Sequence, residues 1–222
     1  MLFDLRSRGR RRTVQVIYIG LAILIGAGLI LFGVGTGTGG GGLFGAFTGG
    51  GSSNGASGAV KSAAKKADQA ARKNPDSPAV WARVVSARFA VANNTGYSSA
   101  TNTYTPAGKQ QLVRVAQAWK KYESLAKKPS ATTATLGARA YSQLNQYANA
   151  ADAYQAVIAA EPSDIKGVEC VAVMSFAAKN TRVGQLAENK VLAKLPKATA
   201  KQVKAEITQV KSNPKLAPQL GC

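Results

Sequence analysis

Residues 131–162 read ATTATLGARAYSQLNQYANAADAYQAVIAAEP, and their periodicity decides the fold class. Leu136, Ala140, Tyr141 and Leu144 fall on one side of a helix with 3.6 residues per turn. Tyr147, Ala150, Ala151, Tyr154, Val157 and Ile158 do the same in a second run. Only Asn145 and Gln146 separate the two. Amphipathic helices joined this tightly lie antiparallel, with small residues where they touch. Pro162 then stops the second helix.

The same period runs through the flanking sequence from Ala59 onward, where alanine, lysine and glutamine dominate. It predicts helices over 59–73, 79–92, 106–127, 131–145, 147–160, 164–178, 182–194 and 198–212, and no run alternates convincingly as a strand. Pro75 and Pro129 also stand near the ends of helical runs. This set reads as one lone helix, two to three antiparallel pairs, and a closing helix. The stretch 93–105, NNTGYSSATNTYT, is uncharged and interrupts the pattern as a long loop. Thr105 caps the next helix and Pro106 opens it. Loops of this length in a compact domain are often functional, which makes Tyr97 and Tyr104 candidates for partner contact, against a plain surface insertion.

On the residues of 131–162 the chain resembles the tetratricopeptide repeat, a helix–turn–helix unit of about 34 residues. Ala138 and Tyr141 take the family's spacing in the first helix, and Tyr147, Ala150, Tyr154, Ile158 and Pro162 take it in the second. Asn145 stands where the family favours glycine, and Val157 where it favours alanine. Weaker echoes occur at Ala63, Ala67, Ala70, Ala71 and Pro75, and at Ala118, Tyr122, Leu125 and Pro129. The resemblance implies an all-α solenoid of antiparallel helix pairs over 59–222, whose first helices line a concave binding groove. It places Arg88, Arg139 and Lys166 on that face, each on a predicted first helix.

Ahead of this region, Val14–Val34 (VQVIYIGLAILIGAGLILFGV) is 21 residues without a charge. As a helix it is roughly 31 Å long, the thickness of a bilayer's hydrocarbon core. The leader 1–13 carries Arg6, Arg8, Arg10, Arg11 and Arg12 against Asp4 alone. The positive-inside rule therefore places the N-terminus in the cytoplasm and the remainder outside a cytoplasmic membrane crossed once by 14–34. The run is too long for the apolar region of a cleaved signal, and no small-residue cleavage pattern follows closely. Residues 35–58 contain 12 glycines in 24 and read as a flexible linker, with Leu43–Phe47 an apolar island inside it.

Composition restricts the chemistry. The 222 residues include no histidine, and 29 Lys+Arg face 10 Asp+Glu, a net charge of +19. The absence of histidine removes the commonest general base, most zinc and haem sites, and the His-activated nucleophiles. No nucleophile elbow or metal spacing occurs, and the glycines at 35–42 lack the Lys-Ser/Thr of a phosphate loop. The expectation is a binding protein with no cofactor and no catalytic residue.

Cys170 and Cys222 are the only cysteines. On the outer side of a membrane they can persist as a disulfide; a buried Cys170 with a free terminal thiol is the open alternative. Lys190, Lys194, Lys197, Lys201 and Lys204 make the C-terminal region strongly basic. They read either as a surface for anionic lipid or cell-wall polymer or as a solvated helix face. Nucleic acid is the poorer partner, because arginine is scarce here.

The layout is similar to that of membrane-anchored repeat proteins that accompany secretion translocons or act as periplasmic chaperones. It implies a tethered scaffold that holds a protein or peptide at the outer membrane face, an accessory in envelope protein secretion, folding or assembly. The alternative is an envelope structural protein that binds anionic polymer or lipid through its lysines.

Overall fold

The computed structural model describes residues 53–222, with side chains from Ser57 onward. Residues 1–52, on which the expected leader, membrane helix and most of the expected linker fall, lie outside the described residues. Among the described residues, no helix is long and apolar enough to cross a membrane.

The described chain is all-α apart from one short hairpin. Its helices are α1 (Ser53–Lys73), α2 (Pro78–Gly96), α3 (Pro106–Leu125), α4 (Ala131–Gln143), α5 (Tyr147–Ala160), α6 (Ile165–Ala177), α7 (Thr181–Leu192) and α8 (Lys197–Ser212). A 3₁₀ segment, Pro214–Gln219, follows α8. Each helix packs on the next in sequence, and two contacts link alternate helices: α2 touches α4, and α6 touches α8.

Local chemistry sets the boundaries. Thr105 Oγ1 accepts from Gly108 N (3.1 Å), with Pro106 in the first turn of α3. Ser130 Oγ accepts from Thr133 N (3.3 Å) and starts α4. The turns after α4 and α6 are built alike. Asn145 (φ 58°) and Lys179 (φ 62°) take the left-handed conformation just past each helix. Gln146 N donates to Tyr141 O (2.9 Å), and Asn180 N donates to Ser175 O (2.8 Å). These closures use the carbonyls left over at a helix C-terminus. Asn tolerates that conformation, so Asn145 does the work expected of glycine. The two turns stand 34 residues apart, and α6 and α7 begin 34 residues after α4 and α5.

All eight expected helices are present, with three differences. The helix expected from Ala59 begins at Ser53, inside the predicted linker. Val60 and Ala64 dock on Ala87 and Val91 of α2, and that burial holds α1 through its glycine-containing start. Within 93–105, the first four residues prolong α2, and β1 (Tyr97–Ser98) pairs antiparallel with β2 (Thr103–Tyr104). Gly96 and Gly108 make this possible. A Cβ on Gly96 falls 2.2 Å from Gly108 Cα, so only glycine lets the end of α2 meet the start of α3. The third difference is the 3₁₀ segment, in a stretch for which no helix was predicted.

The core is fine-grained: alanines and valines fill most of it, around Trp119, Leu112, Met174 and Ile207. Trp119 of α3 is the largest of these, and it packs closely on Gly137 of α4. A Cβ there comes 2.5 Å from the indole Cγ. Replacing Gly137 by Ala is therefore expected to destabilise the domain by about 1–3 kcal/mol through overpacking, although alanine is the better helix former. Chemical denaturation monitored by Trp fluorescence measures this. An increase in stability rules out the tight contact.

Candidate functional site

Three pieces of chain meet on the face formed by the first helices α2, α4 and α6. The hairpin is one. Tyr97 and Tyr104 face each other across it with ring centroids 5.1 Å apart, edge to face. The Tyr97 hydroxyl donates to Asn102 Oδ1 (3.3 Å), and the Tyr104 hydroxyl donates to Asn93 Oδ1 of α2. Tyr104 is held in place and half-buried. Burial, and then Tyr97, push its hydroxyl above the ordinary phenol range, while Arg139 opposes the shift.

The second piece is the C-terminal segment, which runs back over the first helices. Cys222 is bridged to Cys170 of α6, with Cα atoms 5.4 Å apart, and both residues are buried. Gln143 Nε2 of α4 donates to Pro218 O (3.3 Å). Lys166 Nζ of α6 donates to Leu220 O (3.1 Å) and pairs with Glu169 (2.5 Å). Ala217 of this segment is buried.

The third piece is Arg139, exposed on α4 between tyrosines of two elements. Behind it is the buried Tyr154 of α5, whose hydroxyl is pushed up to about 12 by burial, with Arg139 opposing and Asp164 adding to the shift. Between hairpin and tail, a cleft of about 660 Å³ opens, lined by Tyr97, Tyr104, Lys109, Gln143 and Lys215 among others. A contiguous cavity of about 440 Å³ adds Phe89, Asn93 and Arg139. Neither lining contains an Asp or Glu side chain. The chemistry on offer is aromatic surface, amides and three cations. Cations and amides in this arrangement suit an extended peptide with acidic character.

The structure brings Tyr97, Tyr104 and Arg139 together here. Lys166 is on the same face, engaged by the tail. Arg88 is elsewhere: its guanidinium pairs with Asp68 of α1 and donates to Gln111 Oε1 of α3 (3.0 Å). Lys190, Lys194, Lys197, Lys201 and Lys204 are all exposed along the end of α7 and the first turns of α8. They line neither of these cavities. Lys211 instead folds onto the Phe176 ring (4.1 Å) and pairs with the buried Glu188 (2.7 Å). Sequence reasoning missed Lys109, Gln143, Asn93 and Lys215. Only the terminal Cys222 hinted that the tail returns to this face. Among the described residues, no group of His, Cys, Asp and Glu can hold a metal.

Compared with protein-family models, curated proteins and solved structures, the chain matches none.

Two outcomes follow from this geometry. The bridge closes a separation of 52 residues, so Cys222→Ser is expected to cost roughly 4 kcal/mol, a fall in Tm of about 8–16 °C. Hydrogen exchange should quicken across 213–222 while α2 to α5 keep their protection. Tyr154 stays neutral to higher pH folded than unfolded, so its contribution is intact below about pH 10 and is lost as pH rises towards 12. Tyr154→Phe should flatten the alkaline loss of stability over that window and change stability near pH 7 by less than about 1 kcal/mol. Denaturation midpoints across the pH series read both effects.

Proposed function

We propose that this chain is a single-pass membrane protein, N-terminus inside, whose tetratricopeptide-type solenoid holds a protein partner at the outer face of the cytoplasmic membrane. The role is binding without chemistry, as an accessory in envelope protein secretion, folding or assembly. The observation that carries the reading is the cleft on the first-helix face, where Tyr97, Tyr104 and Arg139 converge with no Asp or Glu side chain in the lining. The repeat assignment is supported by the 34-residue offset between the α4/α5 and α6/α7 pairs and by their matching turns. The membrane assignment rests on the apolar run 14–34 and its arginine leader. The partner presents an extended segment with acidic side chains to Lys109, Arg139 and Lys215, and apolar or aromatic ones to the tyrosines. The polymer- or lipid-binding alternative has exposed lysines in its favour, but they gather around no cleft of this kind.

A photo-crosslinking residue at position 104 tests this in intact spheroplasts. The expected result is one discrete protein adduct, degraded by protease added outside. The additional change Arg139→Ala should reduce its yield about tenfold, the loss typical of a hot-spot side chain. Because aromatic burial shares the binding, about 0.5 M salt should weaken capture without abolishing it. Protection of the C-terminal domain from the protease, or adducts unaffected by Arg139→Ala, sinks the reading.

A further inference from the structure

A second cavity, of about 390 Å³, lies away from the cleft, where α1, α2 and α3 meet. Its charged lining is Arg72 and Asp68 from α1, Arg88 from α2, and Arg114 and Lys121 from α3. Trp81 and Val84 of α2 form an apolar wall. The Trp81 indole N–H donates to Pro75 O (2.7 Å), which fixes the ring.

The charges do not balance. Asp68 is the only carboxylate in the lining, and Arg88 takes both its oxygens through Nε and Nη2 while Nη1 holds Gln111. Arg88 is thereby immobilised, with its side chain 14 % exposed. Arg72, Arg114 and Lys121 pair with no carboxylate among the described residues. Burial, and then the field of Arg114, lower the pKa of Arg88. Like charges gathered around a cavity repel one another unless an anion enters.

The residue type adds a separate argument. Residues 53–222 contain 18 lysines and only six arginines. Three of those arginines line this one cavity, against a single lysine. A lysine would serve for solubility or diffuse attraction. Guanidinium differs in its planar fork of donors, which matches the oxygens of a phosphate two at a time. The spacing is also consistent. Asp68 and Arg72 are one turn apart on α1, and Arg114, Gln117 and Lys121 fall on one face of α3.

We propose that this cavity is a phosphate-binding site, in which Arg72, Arg114 and Lys121 take the phosphate oxygens. Arg88, fixed by Asp68 and Gln111, forms the rigid positive floor, and the Trp81 ring packs against the carbon skeleton that carries the phosphate. The ligand is a phosphate or phosphodiester group, borne on a lipid headgroup or on a soluble molecule. The site is independent of the peptide cleft and shares no residue with it.

Calorimetric titration of the full-length chain in neutral detergent tests this, with pyrophosphate and glycerophosphoglycerol as separate probes at matched ionic strength. At least one probe should bind saturably. Arg72→Gln combined with Arg114→Gln should weaken it at least tenfold, as should Gln117→Glu, which places a carboxylate in the lining. The control Lys201→Gln with Lys204→Gln removes the same charge from α8 and should change binding by less than twofold. Binding of the diester marks a headgroup ligand and binding of pyrophosphate alone a soluble one; both support a phosphate site. Absence of saturable binding to either probe, or equal losses in the cavity and α8 variants, overturns it. Thermal melts confirm that each variant is folded.

Discussion

Close approach of alanine-faced helices is the constraint on which the domain depends. Alanine is the commonest buried residue in the described chain, and each one contributes little apolar area. Such helices gain enough burial only when their backbones come near one another, so the interfaces leave no space for an added methyl. Trp119 of α3 against Gly137 of α4 is the clearest case, and Phe176 of α6 against Gly184 of α7 is another. Gly96 against Gly108 is the extreme, where two backbones touch and turn the chain into the hairpin. Two of the buried rings, Trp119 and Phe176, thus each lie opposite a glycine.

A stack of pairs that bury their faces only on neighbours has exposed ends and an exposed inner face. The chain deals with these in different ways. At the start, α1 covers α2 through Val60 and Ala64. At the close, α8 covers α6 and α7 through Val203, Ile207 and Val210. The inner face is then partly filled by the chain's own C-terminus, held by the Cys170–Cys222 bridge and by backbone carbonyls accepting from Gln143 and Lys166. What stays open is the gap between this tail and the tyrosine hairpin. The proposed binding cleft is therefore a by-product of two insertions into a regular stack, one at each side of the first-helix face.

Charge is distributed with the same economy. Most lysines point to solvent and serve the domain's general basicity, while two of the buried or half-buried acids are assigned to specific cations: Asp68 to Arg88 and Glu188 to Lys211. Glu169, also buried, takes Lys166. The acids are so few that two separate cavities are left cationic, one faced with tyrosines and one with arginines. That scarcity underlies both proposed sites, on chemistry that differs between the two.

The residues alone determined the helical class, the number of helices and most of their ends, because the 3.6-residue period and the proline and cap positions act over a few residues at a time. The pairing of α4 with α5 was legible for the same reason, through the two-residue turn at Asn145. Several features were decided only when distant segments met. Tyr97 and Tyr104 became strand partners through a glycine contact between α2 and α3. Arg88 left the first-helix face for Asp68. Cys222 found Cys170 across 52 residues. Periodicity records which side of a helix is apolar, but it says nothing of which neighbour that side meets or how closely; tertiary packing settles both, and the cavities lie in the gaps it leaves.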